Sequence, residues 1–504
     1  MFKNQPKGLI PAALANMGER FGFYTMMAIL TLFLMSKFNL SGEEAGGFYS
    51  IFYGAIYILA LVGGLIADRL KNYKGTIIAG LLIMIGGYVL LTIPSLITTK
   101  YIALAALLVI AFGNGLFKGN LQALVGQLYD NPQYKNMRDS GFQIFYMFIN
   151  IGGMFAPFAA TSVRNWFVKS QGFAYHQDLP ALCHQYNGGI MSEEVMSGRF
   201  TNLATQVSGG TTPADLSSFA TNYLEAFNTG FHYAFSVAIV AMIISLAIFL
   251  IYKNVLPNPA LKVVKEKDST TYSKEDIKQD AKEIKQRILA LFAVFGVVIF
   301  FWFSFHQNGL TLTMFAKDYT LLKIGNIQLS AEIFQSINPF IVVFLTPVIM
   351  WIFGRLNKKG KEPSTPKKIG IGMGIAALGF VLMTIGSIGL PKLAEVTAMG
   401  GLPDADRVTP WLLFGTYFIL TVAELFISPL GLSFVSKVAP VHLQGLMQGA
   451  WLGATAIGNF SLFMGAMMYE SISISVTWSV FVVVCTLSMV AMFSMVKWLE
   501  RVAK

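Results

Sequence analysis

The stretch NVLPNPALKVVKEKDSTTYSKEDIKQDAKEIKQR, residues 254–287, divides the 504-residue chain into two parts of similar length. It is dense in charge and carries Pro257 and Pro259 near its start. Within residues 273–287, Asp and Glu precede Lys by three or four positions, which is a spacing that stabilises a solvated helix. This stretch therefore predicts a polar linker between two other regions.

Both flanking regions consist mainly of apolar segments. Hydrophobic residues make up 55% of the chain, charged residues only 12%, and the mean hydropathy is +0.59. Soluble domains carry about 25% charged residues. Apolar runs of about 20 residues recur, and as helices these are long enough to cross a hydrocarbon core of about 30 Å. We predict an all-α polytopic membrane protein with twelve spans, at residues 10–35, 46–68, 75–95, 101–128, 140–163, 229–252, 288–316, 331–354, 369–390, 410–434, 445–469 and 474–498.

The basic residues indicate the orientation of these spans. The chain has 37 Lys and Arg against 26 Asp and Glu, a net charge of +11. With the amino terminus placed in the cytoplasm, about 26 of the 37 basic residues fall in cytoplasmic segments. This positive-inside pattern predicts a multi-pass protein of the cell (inner) membrane with both termini cytoplasmic. The basic excess is then explained by topology and anionic lipid, and it does not predict a nucleic-acid partner.

Six spans on each side of a charged central linker resemble the layout of the major facilitator superfamily. On this basis we expect an N-terminal six-helix bundle over residues 1–253, a cytoplasmic linker over 254–287 and a C-terminal six-helix bundle over 288–504. Residues 164–228 are mixed in composition and are expected to form an ordered, partly helical insertion on the extracytoplasmic side.

Four ionisable residues lie deep within predicted spans, and each is costly there. Glu19 and Arg20 are adjacent in LANMGERFGFYTMMAIL (14–30), whereas Lys118 and Glu424 lie in later spans. A charge at the centre of a membrane helix costs about 2.5 to 3.5 kcal/mol. The four could form salt bridges that only hold helices together, or snorkel to headgroups. Because they are divided between both halves and lie near Gly and Pro, we expect them to line a water-filled path.

Short motifs along the chain strengthen this interpretation. The matching segments are ERFGFYTM (19–26), the region around Lys118, FQIFYMFINIGGM (142–154), QSINPFIVVFLTP (335–347), ELFISPLGLSFVSKVAP (424–440) and MQGAWLGATAIGN (447–459). The first is similar to the pattern ExxERFxYY and the third fits FYxxINxGS. With these motifs in this order, the chain resembles the proton-dependent oligopeptide transporter family of the major facilitator superfamily.

The resemblance implies a secondary active transporter that imports di- and tripeptides with protons by alternating access. It implies that Arg20 and Lys118 bind the peptide carboxylate and that Glu424 binds the amino terminus. Lys118 and Glu424 would also pair as a gate on the cytoplasmic side. The other residues to which the resemblance assigns substrate binding are Tyr24, Tyr57, Asn150, Asn338 and Trp451.

Two departures from the family pattern concern proton coupling. Asn16 replaces the first acidic residue of ExxER, and His306 replaces a helix-7 glutamate that pairs with the helix-1 arginine in the family. Glu19 is then the nearest candidate partner for Arg20. Since an unperturbed imidazole titrates near pH 6.5, His306 could carry a proton instead. The candidates for proton coupling or gating are Glu19, Lys118, His306 and Glu424, and we expect the coupling to be weakened or altered.

Alternatives to peptide import remain open from the sequence. A helix-7 histidine is also found in plant nitrate-transporting relatives, so nitrate or a modified amino acid could be the substrate. A receptor or scaffold that does not transport is a further alternative. The sequence contains no nucleophile–base pair, and His176, Cys183 and His184 lack the spacing of a standard metal site. We therefore predict no enzyme activity, metal or cofactor, and expect a monomer whose partners are small peptides, protons and membrane lipid.

Overall fold

The computed structural model describes residues 5–129, 131–134, 137–257, 274–439 and 444–502. Within these ranges, 12 helical spans are long and apolar enough to cross a membrane, so the predicted number of spans is confirmed. The middle of the predicted linker, residues 258–273, lies outside the described residues, whereas its final part, residues 274–287, already belongs to a helix.

In its described residues, the N-terminal half contains nine α-helices, six of which are spans. The helices of this half are α1 (Leu9–Phe38), α2 (Gly42–Leu70), α3 (Tyr73–Thr92), α4 (Lys100–Leu128), α5 (Arg138–Ser170), α6 (Leu179–Asn187), α7 (Glu193–Val195), α8 (Thr201–Val207) and α9 (Leu216–Tyr252), with a π-helical turn at Met196–Phe200. Polar caps set several starts. The Ser41 hydroxyl accepts from the Glu44 amide at 3.1 Å, and the Glu44 carboxylate accepts from the Ser41 amide. These two bonds form a capping box that begins α2.

The part of the C-terminal half that the structure describes also contains nine α-helices, together with one small hairpin. The elements of this half are α10 (Lys274–Phe305), α11 (Thr311–Tyr319), β1 (Lys323–Ile324), β2 (Ile327–Gln328), α12 (Ile337–Lys358), α13 (Thr365–Gly386), α14 (Leu393–Ala398), α15 (Pro410–Val438), α16 (Gln444–Phe460), α17 (Phe463–Ser471) and α18 (Ile474–Val502). Strands β1 and β2 are antiparallel. Turns of 3₁₀-helix lie at His306–Gly309, Ala331–Ser336 and Asp404–Asp406.

Two predicted spans are interrupted rather than continuous. A 3₁₀ turn separates α10 from α11, and Ser461 and Leu462 separate α16 from α17. One side chain joins the two breaks, because the Gln307 amide donates to the carbonyls of Phe303 and Leu462, each at 3.2 Å. Side chains that satisfy freed carbonyls make broken helices tolerable at membrane depth. The breaks therefore lie side by side, next to His306.

Each half packs as a bundle through small residues. In the N-terminal half α1 packs on α5 and α9, and α4 packs on α2 and α3; in the C-terminal half α13 packs on α15 and α18, and α10 on α16 and α18. The α2–α4 contact is very close, since a Cβ added at Gly63 would lie 2.1 Å from the Gly115 carbonyl oxygen. The halves meet where α2 contacts α16 and α17, and where α5 contacts α12.

The two ends of the molecule differ in the helices that lie there. The terminal end is the end at which α1 begins and α18 ends, and the insertion end is the end that carries α6–α8. The cap at the insertion end is smaller than the predicted insertion 164–228, because α5 continues to Ser170 and α9 already begins at Leu216. Asp215 caps this early start by accepting from the Ser217 amide at 2.9 Å.

Candidate functional site

A cavity of about 880 Å³ lies between the two halves. Nine of the ten residues named from the sequence line it: Arg20, Tyr24, Tyr57, Lys118, Asn150, His306, Asn338, Glu424 and Trp451. The tenth, Glu19, is fully buried behind Arg20. The structure thus brings residues from eight different spans to one place.

The cavity is closed at the insertion end and open at the terminal end. Near the insertion end it is bounded by Tyr49 and Tyr417, which are only 2% and 1% exposed. Gly309 lies against this boundary, and a Cβ there would lie 2.4 Å from the Tyr49 hydroxyl. Near the terminal end the lining includes Gln122, which is exposed, and Leu61, which is 36% exposed.

Glu19 and Arg20 form a complete ion pair within α1. The Arg20 Nε and Nη2 atoms donate to the two carboxylate oxygens of Glu19 at 2.5 and 2.6 Å. The Asn114 amide of α4 adds a third bond to Glu19 Oε1 at 2.6 Å, and all three side chains are buried. Two-point, charge-assisted hydrogen bonds of this kind are strong. Sequence reasoning missed Asn114, although a polar amide four residues before Lys118 on one helix face was a usable signal.

Lys118 has no such carboxylate partner. Its ammonium group lies 4.5 Å from the centre of the Tyr57 ring, which is cation–π contact. No ion pair to Lys118 occurs among the residues that the structure describes. The pair with Glu424 expected from the resemblance is therefore absent in this conformation, in which the cavity is open at the terminal end.

Glu424 stands on the opposite wall with neutral partners. It accepts a hydrogen bond from the Asn338 amide at 2.7 Å, and the same amide donates to the Thr421 hydroxyl at 3.0 Å. Within the described ranges no cation lies within ion-pair distance of Glu424. The cavity thus holds one ammonium group and one carboxylate that have no opposite charge beside them.

His306 lies in the 3₁₀ turn between α10 and α11, with its ring held on several sides. Nδ1 lies 2.5 Å from Asn459 Oδ1. The ring stacks on Trp302 with centroids 4.8 Å apart and contacts the Tyr53 ring at 4.9 Å. Because an amide oxygen only accepts, Nδ1 carries the proton in this arrangement, and Nε2 of the neutral ring remains an acceptor. Arg20 is not among its contacts.

An aromatic ladder on α2 forms part of the cavity wall. Tyr49, Tyr53 and Tyr57 are spaced four residues apart, and successive ring centroids are 5.7 and 5.9 Å apart. All three line the cavity, but only Tyr57 was named from the sequence. The i, i+4 repeat of tyrosine was the signal that could have found the other two.

Trp451 of α16 fits against a glycine on α15. A Cβ added at Gly431 would lie only 2.1 Å from the far edge of the indole ring, so this position has no room for a side chain. On another side the ring contacts Phe295 with centroids 6.1 Å apart. The large side chain is therefore held in one position at the cavity wall.

Asn150 and Tyr24 complete the predicted set on the N-terminal half. The Asn150 amide donates to the Tyr146 carbonyl of its own helix at 3.0 Å. Tyr24 packs over Gly153, where an added Cβ would lie 3.1 Å from its ring. Gly153 thereby lets α1 and α5 come close at the cavity.

Comparisons with known proteins show which proteins this chain is similar to. A model of the POT family matches residues 74–183 and 254–480. The chain is 28% identical over 474 residues to the peptide transporter YePEPT of Yersinia enterocolitica, covering 91% of this chain and 87% of that one. It is 28% identical over 451 residues to dipeptide and tripeptide permease B of Salmonella typhimurium, covering 89% and 83%. A crystal structure of a peptide transporter POT in complex with sulfate has the same fold, with a TM-score of 0.73 and 22% identity over 100% of this chain and 96% of that one.

Proposed function

Because the chain belongs to the POT family, we propose that it is a secondary active transporter that imports di- and tripeptides by alternating access. The matching family model and the similar structures confirm the predicted family and the major facilitator fold. The family and its relatives are transporters and not enzymes, as predicted. The substrate, the coupling to protons and the roles of single residues are our proposals.

The observation that carries the proposal is the placement of two charges without ionic partners. The Lys118 ammonium lies on the N-terminal half and the Glu424 carboxylate on the C-terminal half of one cavity. A small peptide is a zwitterion, and it would supply the missing carboxylate to the first and the missing ammonium to the second. Charge-assisted hydrogen bonds in a partly desolvated site are strong, and about 880 Å³ is an ordinary volume for a small-molecule pocket.

The remaining cavity residues are proposed to hold the middle of the peptide. Asn150 and Asn338 offer amide groups from opposite halves, and Tyr24, Tyr57 and Trp451 supply aromatic surface. A ligand that bridges both halves favours the conformation in which they come together. We therefore propose that substrate binding closes the terminal end, with Lys118 and Glu424 coming close enough to act as its gate.

We propose that proton coupling is present but weaker than in relatives that retain both acids. The ion pair of Glu19 and Arg20 is one candidate proton site, because a proton on Glu19 would release the guanidinium toward the cavity. Glu424 and His306 are the other candidates. Asn16 and His306 each stand where the family pattern has an acid, which removes two carboxylates from the usual route.

The chain is a multi-pass membrane protein, and we propose that it lies in the inner membrane with both termini in the cytoplasm. The concentration of Lys and Arg near the terminal end supports this orientation. The terminal end of the cavity would then open to the cytoplasm. We further propose that the protein acts as a monomer surrounded by lipid.

The decisive experiment is uptake of labelled dialanine into proteoliposomes, with and without an imposed inward proton gradient. Saturable uptake that unlabelled di- and tripeptides compete with is the expected result. Competition by nitrate or by modified amino acids alone would assign a different substrate. Lack of uptake of every solute in the panel, with folded protein in the vesicles, would support a receptor or scaffold and overturn the proposal.

A further inference from the structure

The insertion end is closed by two ion pairs that cross between the halves. The inner one joins Arg164 of α5 to Glu332, which lies in the 3₁₀ turn before α12, and both side chains are 0% exposed. Arg164 Nη2 also donates to the Ser330 hydroxyl at 3.2 Å, and Asn165 donates to the same oxygen at 3.2 Å. A buried ion pair is strongly destabilised when its partners separate without water.

The polypeptide of the insertion covers this inner pair. The Tyr175 ring lies 4.5 Å from the Arg164 guanidinium carbon and stacks on Phe227 of α9 with centroids 5.9 Å apart. Phe231, one turn further along α9, lies 5.1 Å from the same guanidinium. The aromatic layer separates the ion pair from solvent at the insertion end.

The outer ion pair connects the insertion itself to the C-terminal half. Asp178, at the start of α6, accepts from Arg407 Nη2 at 2.7 Å. Arg407 lies just before α15, and its side chain is held by the carbonyls of Lys317 and Leu402, both at 2.9 Å. Arg407 is therefore a fixed anchor on the C-terminal half, and Asp178 is the carboxylate that reaches it.

Arg199, an arginine of the insertion, reaches the same loop of the C-terminal half. Arg199 donates to Asp178 at 2.8 Å and to the carbonyls of Gly400 and Leu402 at 2.6 and 3.1 Å. The loop is shaped for this approach, since Gly401 has a left-handed φ of 107° and an added Cβ there would lie 2.7 Å from an Asp178 oxygen. The contact thus depends on both main chain and side chains.

The insertion is attached to the N-terminal half by contacts of its own. The Tyr223 hydroxyl of α9 accepts from the His176 amide at 3.1 Å and donates to the Ala174 carbonyl at 3.2 Å. On α6, a ring nitrogen of His184 lies 2.6 Å from the Ser36 carbonyl of α1. The segment therefore belongs to one half while its charged residues reach the other.

We propose that residues 171–215 form a latch that keeps the insertion end closed, with Asp178 and Arg199 as the groups that must leave the C-terminal half before the cavity opens there. This inference rests on the alternating access proposed above. The Asp178–Arg407 pair sets how readily the halves part, and Tyr175 keeps water from the Arg164–Glu332 pair until they do.

Spin labels on cysteines at Asn222 of α9 and Thr397 of α14 test the latch. Both positions are exposed and lie on different halves at the insertion end, whereas native Cys183 and Cys485 are buried. Electron–electron distance distributions would be compared between the labelled parent, Asp178→Asn and Arg407→Gln. Losing one partner of a buried pair should raise the ratio of long to short distances roughly tenfold or more.

The matched control is Lys100→Gln. Lys100 and Glu44 form an ion pair at 2.8 Å at the same end, but within the N-terminal half alone, so the distances should stay as in the parent. If Asp178→Asn lowers the yield of folded protein, Arg199→Gln replaces it, because that side chain is 22% exposed. Unchanged distances in all latch variants would overturn the inference.

This measurement separates the latch from the proposed function. The distances report the conformation directly and do not require a transported substrate. If the parent fails to take up peptides but Asp178→Asn shows the expected shift in distances, the latch inference is supported and the proposal of peptide import is overturned. If the parent transports peptides but no latch variant shows a shift in distances, the proposal of peptide import is supported and the latch inference is overturned.

Discussion

The charges of the cavity fall into two groups that differ in how they are compensated. Glu19 and Arg20 neutralise each other through two short hydrogen bonds, with Asn114 completing the set. Among the residues that the structure describes, Lys118 contacts a tyrosine ring and no carboxylate, and Glu424 contacts a neutral amide and no cation. A buried charge without a partner is costly unless a ligand supplies one. We propose that the second group is kept for substrate, whereas the first is stable without it.

The largest expected effect follows from removing a charge of the uncompensated group. Lys118→Ala or Glu424→Ala should each reduce dialanine uptake in proteoliposomes by at least about thirtyfold. Each variant removes the protein's partner in a charged pair proposed to form with one end of the peptide, and losing one partner of a buried charged pair costs about 2 to 5 kcal/mol. Gln122→Ala is the control, since Gln122 lines the open end of the cavity without a charge. Full transport by either charge variant would remove these residues from the site.

The next effect should be smaller because it changes the compensated group. A lysine at position 20 cannot offer Nε and Nη2 together, so Arg20→Lys loses one charge-assisted bond to Glu19, about 1.5 to 3 kcal/mol. We expect the apparent KM for dialanine to rise about tenfold, with Lys100→Arg as the control. A variant with the kinetics of the parent would make Arg20 a structural partner of Glu19 only.

A third test asks whether His306 belongs to the uncompensated group. We expect the parent to accumulate peptide only weakly under an inward proton gradient, and His306→Gln to behave like it, because the imidazole is already satisfied by Asn459. The measurement is the ratio of internal to external dialanine at steady state. Strong accumulation by the parent that disappears in the variant would instead make His306 the proton carrier.

The smallest effect concerns His176, a half-buried histidine whose surroundings favour the neutral ring. Burial lowers the pKa of His176, and its Nδ1 accepts from the Asp178 amide at 3.3 Å. Below about pH 6.5 the unfolded chain binds a proton there more readily than the folded chain does, so stability falls as the pH drops below that value. We expect the Tm of the parent to decrease between pH 7.5 and 5.5 by about 1–2 °C more than that of His176→Asn. Equal decreases in Tm for the parent and His176→Asn would show that protonation of His176 does not destabilise the folded chain.

Much of the fold was predictable because membrane helices must be long and apolar. The breaks at His306–Gly309 and Ser461–Leu462 were not predicted, since a hydropathy average over a whole span does not detect a change in main-chain hydrogen bonding. The charged site residues could be found because charge is rare at membrane depth. Tyr49 and Tyr53 were missed because aromatic residues are common on lipid-facing and packed helix surfaces alike.

The ion pairs of the insertion end could not be predicted for a different reason. Arg164 and Asp178 lie in or beside a segment expected to be extracytoplasmic, where charged residues are ordinary. Their partners are far along the chain, since Glu332 is 168 positions from Arg164 and Arg407 is 229 positions from Asp178. Only the packing of one half against the other identifies these partners.

The fit of Trp451 against Gly431 has a consequence for how this cavity can evolve. Any side chain at position 431 would occupy space already filled by the indole ring. A sequence that gains a larger residue there must therefore lose the tryptophan or displace it into the cavity, which would change the size of substrate that fits. Across natural variants of this protein, residues 431 and 451 should therefore change together. A change in substrate preference should appear at this pair before it appears at any charged residue.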